Sequence, residues 1–137
     1  MEKSKLISSF IAQLKIAYPN YFKDITNDNL IEMVSMYQNM LGDYNETILN
    51  NAIKTIIKTK KYMPSISEII DICDSEKKQI SNVIIEKMIN DGYFKNDREI
   101  EKAILWVNEG VIPKWLREDM KKYYSKLLEN KRLLIEG

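Results

Sequence analysis

The chain has 137 residues, 45% apolar and 30% charged, which suits one compact domain, or one with a helical extension, and is too apolar for a disordered segment. Its 21 basic and 20 acidic residues balance at +1, unlike a dedicated duplex-DNA binder. Histidine is absent and Cys73 is the single cysteine, which excludes Ser-His-Asp and Cys-His nucleophile systems, His-based zinc sites, an intramolecular disulfide and a CxxC metal pair.

Only four Gly and three Pro interrupt the chain, which favours helices. The periodicity predicts an all-α fold of about six helices, with an N-terminal helical domain over 1–74 and a helical C-terminal region over 75–137. The first helix is expected over about 4 to 17, with Leu6, Ile7, Phe10, Ile11, Leu14 and Ala17 on one face. Tyr18-Pro19 ends it, because the residue before proline is pushed out of helical geometry. Tyr21, Phe22 and Ile25 are expected in the next loop, folded back on the core. Asn27 is the expected N-cap of a second helix, with Asp28 beside its positive end. Its stripe is Leu30, Met33, Val34, Tyr37, Met40 and Leu41, and Gly42 stops it. Asn45 caps a third helix that buries Ile48, Leu49, Ala52, Ile53, Ile56 and Ile57.

Pro64 cannot continue that helix, and Ser65-Ile66-Ser67-Glu68 matches a capping box opening the next. Ile69, Ile70, Cys73, Ile80, Val83 and Ile84 carry the apolar pattern on, so Cys73 reads as a buried small hydrophobe. Either one long helix reaches about Asp91, which the pattern favours, or a break falls in the charged stretch from Asp74 to Lys78. Gly92 closes this region, with Tyr93 and Phe94 packed beside it. Asp97 is the expected cap of a fifth helix bearing Ile100, Ala103, Ile104 and Val107 and closed by Gly110. Pro113 suits the first turn of the last helix. Leu116, Met120, Tyr123, Leu127 and Leu134 follow there in a coiled-coil-like rhythm that Asn130 interrupts.

Asp71 with Asp74, or Glu99 with Glu101, are the carboxylate pairs open to acid–base work, but they lie among lysines on helix surfaces, whereas catalysis needs an enclosed, pKa-shifting setting. There is no GxxxxGK[ST] or GxGxxG phosphate loop, so the chain lacks the P-loop that would make it an ATPase in its own right, and the expectation is no enzyme, no cofactor and no metal. It has no signal-peptide-like or membrane-spanning stretch either, and the expected location is cytoplasmic. Lys54, Lys58, Lys60 and Lys61 cluster towards the end of the third helix. There they complement the helix dipole or form a small phosphate-contacting patch. Trp106, Trp115, Tyr123 and Tyr124 stand close to Arg117, Lys121, Lys122 and Lys126. These aromatics either pack the last helix on the protein, form a partner-binding surface, or stack bases of single-stranded nucleic acid.

The order of features is a helix ending in Tyr-Pro, an aromatic pair, an aromatic-ended helix, a third apolar helix, and then Lys-Tyr-Met-Pro-Ser-Ile-Ser-Glu-Ile from Lys61 to Ile69. This order resembles the phage replicative helicase loader/inhibitor family. Tyr18, Pro19, Phe22, Tyr37, Ala52, Tyr62, Pro64, Ile66 and Ile69 carry the resemblance, with Tyr37 standing where a tryptophan is more usual. It covers the first half of the chain, and the run from Glu101 to Met120 looks like C-terminal regions of similar phage proteins. The resemblance implies a non-enzymatic DNA replication adaptor. Such proteins bind a hexameric DnaB-type replicative helicase, restrain its ATPase and unwinding, and deliver it to an origin through an origin-binding protein. In that family the C-terminal part contacts the helicase and can be disordered when free. The composition here is not that of a disordered segment, which implies a preformed helical arm or a different partner. The alternatives are a helical nucleic-acid-binding replication module and a helical protein that self-associates through its C-terminal seam.

Overall fold

The computed structural model describes residues 3–136, with side chains through Glu129. Its elements are α1 (Lys3–Ala17), α2 (Pro19–Phe22), α3 (Asn27–Leu41), α4 (Glu46–Thr59), α5 (Ile66–Asn90), α6 (Asp97–Glu109) and α7 (Lys114–Glu136). No strand occurs among the described residues, so the fold is all-α. The chain divides into two compact units, Met1–Lys77 and Lys78–Gly137, and α5 belongs in part to each.

In the first unit α1 packs on α3 and α4. Its core takes Ile7, Phe10, Ile11 and Leu14 from α1, Tyr37 and Leu41 from α3, Leu49, Ala52, Ile53 and Ile56 from α4, and Ile69 and Cys73 from α5. Each fully buried Ile or Leu contributes about 1.5–3 kcal/mol through removal of apolar surface from water. The expected loop after Tyr18 is instead a one-turn helix. Pro19 stands at its first position, where a missing N–H costs nothing, and Lys23 N–H closes the turn on the Pro19 carbonyl at 3.0 Å. Phe22 is buried, whereas Tyr21 is 50% exposed and meets the Phe22 ring edge to face at 5.1 Å, which corrects the expectation that both fold inward.

The N-cap of α3 is Thr26, one residue before the expected Asn27, and its hydroxyl accepts from Asn29 N–H at 3.2 Å. Asn45 caps α4 as expected, accepting from Ile48 N–H at 2.9 Å. Met40 and Ile57 lie at the flanks of their stripes and are exposed, contrary to expectation, because a helix buries only a limited arc. Gly42 follows α3 with φ −64°, so the expected stop is not a left-handed one. A Cβ there would collide with the Gln38 carbonyl oxygen.

α5 starts with the expected capping box: the Ser65 hydroxyl accepts from Glu68 N–H at 3.2 Å and the Glu68 carboxylate accepts from Ser65 N–H at 3.4 Å. The helix then runs unbroken through the charged stretch. Its first half is tied down by Tyr44, whose hydroxyl donates to Asp74, and by Thr55, whose hydroxyl donates to Glu76 at 3.3 Å.

The second unit packs Ile84, Ile85 and Met88 of α5, Ala103 and Val107 of α6, and Leu116 and Met120 of α7 into one core. Val83, expected inside, is 57% exposed, and Ile85 and Met88 take the inward positions. Ile104 is likewise exposed on the flank of α6. Gly92 has φ 77° and lets Tyr93 N–H reach the Met88 carbonyl while its own N–H reaches Ile89. Gly110, φ 72°, repeats this paired closure with Val111 N–H on Trp106 and its own N–H on Val107. Asn96, not Asp97, caps α6, accepting from Glu99 N–H at 3.0 Å. Pro113 precedes α7, and its carbonyl accepts the first helical bond from Arg117 N–H at 3.0 Å. The side chains of Asn130 and Leu134, which bear on the expected seam, lie outside the described residues.

Candidate partner-binding and nucleic-acid surfaces

The core positions of α7 set where its aromatic and basic residues point. With Leu116 and Met120 inward, Tyr123, Tyr124 and Leu127 fall on the same face and are partly buried against the second core. Tyr123 meets Tyr93 edge to face at 6.3 Å, with the Lys126 ammonium 5.8 Å from its ring centroid. Tyr93 in turn donates its hydroxyl to Asp119, and its pKa is pushed up to about 12, by desolvation first and by Asp119 second. The Tyr124 hydroxyl is buried with no hydrogen-bond partner. Trp106 is half-buried on α6 and meets Trp115 edge to face at 6.1 Å. Trp115 itself is 55% exposed, and Arg117, Lys121 and Lys122 face water. The Lys122 ammonium lies 3.8 Å from Asp119, one turn back.

The structure therefore divides this group of residues. Trp106, Tyr123 and Tyr124 contribute to the unit's own core, whereas Trp115, Arg117, Lys121 and Lys122 are open.

The lysine set divides as well. Lys54, Lys58 and Lys61 are exposed. Lys60 is half-buried, its ammonium 3.4 Å from Glu68, and its carbonyl accepts the Tyr18 hydroxyl at 2.7 Å. Ser65 N–H, and then Lys60, hold the Glu68 carboxyl below the usual glutamate range. Tyr62 is 77% exposed, with the Lys61 ammonium 5.6 Å from its ring centroid. Sequence reasoning placed Tyr62 among fold-defining residues and missed this exposure.

The proposed carboxylate pairs lie on helix surfaces. Asp71 and Glu101 are exposed, Asp74 accepts from Tyr44, and Glu99 accepts from Lys95 N–H at 2.8 Å. Among the described residues no group of acidic or cysteine side chains could hold a metal ion, and no helix is long and apolar enough to cross a membrane. Cys73 is fully buried, and desolvation first, then Asp74 and Glu76, push its thiol up to about 12.

Tyr18 joins the two signature passages of the first unit. Its hydroxyl donates to the carbonyls of Lys60 at 2.7 Å and Ile56 at 3.2 Å, so the Tyr-Pro end of α1 is bonded to the end of α4 just before Pro64. The stretch containing both passages, residues 1–70, matches the family profile for the N-terminal domain of the phage SPP1 helicase loader/inhibitor. The chain belongs to this helicase loader/inhibitor family. The family is not itself catalytic, and its members' role implies interaction with a replicative helicase. No curated protein and no solved structure matches the chain. The family match stops short of α6 and α7, so the residues selected on α7 lie outside it.

Proposed function

We propose that the protein is a DNA replication adaptor that binds a hexameric DnaB-type replicative helicase, restrains its ATPase and unwinding, and delivers it to an origin. The observation that carries this reading is the loader/inhibitor family match over residues 1–70, together with the Tyr18 bonds that join its signature passages into one packed unit. The second unit supplies the helicase-facing surface, centred on Trp115 and Arg117 with Lys121 and Lys122 beside them. An aromatic–arginine pair open to solvent has the composition of interface hot spots. Tyr123 and Tyr124 hold α7 in place behind that surface.

The test mixes the protein with a DnaB-type helicase and ATP. A co-eluting complex and reduced ATPase are expected, and Trp115→Ala with Arg117→Glu should weaken both while leaving the helical signal intact. Absence of a complex together with unchanged ATPase would refute the proposal.

A further inference from the structure

We infer that the corner between α4 and α5 is a second binding site, for single-stranded DNA, in which Tyr62 stacks on an unpaired base and Lys54, Lys58 and Lys61 contact the flanking phosphates. The first observation is the Tyr62 ring. Three residues close to it have structural work: the Lys60 carbonyl takes the Tyr18 hydroxyl, Pro64 is buried, and Ser65 caps α5. The ring has none, and it stands 77% exposed. A ring held out on a turn, with a lysine ammonium 5.6 Å from its centroid, offers a face that a nucleobase can cover.

The second observation is charge. No acidic residue occurs between Glu46 and Glu68, although the chain holds 20. The four lysines of that interval are Lys54, Lys58, Lys60 and Lys61, and of these four only Lys60 has an ion-pair partner among the described residues. Helix-dipole complementarity accounts for Lys58 in the last turn of α4. It does not account for Lys54, before that turn, or Lys61, beyond the helix end. A polyanion matches all three. Stacking on a lone ring requires an unpaired base, which selects a single strand over a duplex. The choice of DNA rests on the proposed role at a replicative helicase.

The test is fluorescence anisotropy of a labelled oligothymidylate with the full chain at low salt and no helicase present. Binding is expected, with the logarithm of affinity falling against that of salt with a slope of about −2, from roughly 0.7 per phosphate over three phosphates. Tyr62→Ala should bind about tenfold more weakly, as expected for loss of one stacked base, and Tyr62→Phe should bind like the parent. Replacing Lys58 and Lys61 together by Ala should flatten the salt slope. No binding at low salt, a Tyr62→Ala protein that binds like the parent, or a duplex that binds as well as the single strand would each overturn the inference. Because no helicase takes part, failure here leaves the adaptor reading standing, and failure of that reading leaves this binding measurable.

Discussion

The C-terminal ends of the helices differ between the two units. In the first, α1 stops at Pro19, α3 at a glycine in right-handed geometry, and α4 at an extended Lys60 whose carbonyl is claimed by Tyr18. In the second, α5 and α6 both stop at left-handed glycines, Gly92 and Gly110, closed by backbone bonds alone. Ends of the first kind depend on particular side chains at particular places, so they leave a signature that a family profile can hold. Ends of the second kind need only a glycine at the right phase, and any helical protein can use them. The family match covers residues 1–70, the side-chain-dependent half.

Core truncation gives the largest test of this contrast. Leu14→Ala and Leu116→Ala each remove a fully buried side chain, and each should cost about 2–5 kcal/mol in urea unfolding. Both tryptophans lie in the second unit, so their fluorescence follows that unit while helical circular dichroism follows both. Leu116→Ala should shift the fluorescence transition, and Leu14→Ala should shift mainly the circular dichroism. Equal shifts of both signals by Leu14→Ala would mean that the units melt as one block and the contrast has no thermodynamic content.

Next come the helix ends themselves. Gly110→Ala forces a side chain into left-handed geometry at a cost of about 1–2 kcal/mol. Ser65→Ala removes a cap worth about 1 kcal/mol. The same urea titrations check both, and a Gly110→Ala protein as stable as the parent would remove the proposed role of that glycine.

Two tyrosine hydroxyls should respond with opposite signs. Tyr18→Phe takes the hydroxyl from the part-buried Lys60 carbonyl, while the Ile56 carbonyl keeps its bond from Lys60 N–H, and should cost about 1 kcal/mol, whereas Tyr124→Phe deletes a buried hydroxyl that has no partner and should leave stability unchanged or slightly raised. A loss at Tyr124 equal to that at Tyr18 would show that the second hydroxyl is satisfied in solution.

The smallest effect is electrostatic. The folded Glu68 carboxyl titrates below the ordinary value of 4.5, so its stabilisation is present above that value and is lost as pH falls through the lower folded one. The stability difference between the parent and Glu68→Gln should therefore shrink on acidification below about pH 4.5, measured by thermal unfolding across pH.

Much of this architecture was legible in the residues. The capping box at Ser65 and Glu68, the Asn45 cap and the unbroken α5 follow from local chemistry and apolar period. Two helix starts were displaced by one residue, at Thr26 for Asn27 and at Asn96 for Asp97, because two competent caps stand side by side and only the backbone path chooses. Met40, Ile57, Val83 and Ile104 were misplaced for a different reason. Periodicity marks the centre of a buried stripe well and its edges poorly, and the edge is set by how closely the neighbouring helix approaches. The same limit affects the candidate surfaces. Nothing local distinguishes Tyr123, packed against Tyr93, from Trp115, open to water, and nothing local reveals that Tyr62 has no packing partner.

The burial of Cys73 has a practical consequence. The chain's single thiol lies at zero exposure with its ionisation pushed up to about 12, so at neutral pH it is both hidden from reagents and almost wholly in the unreactive protonated form. A cysteine introduced at an exposed position such as Ser125 becomes the one handle that maleimide dyes, spin labels or cross-linkers can find, with the native residue left in place. Site-specific labelling thus needs one added cysteine and no removal of the native one.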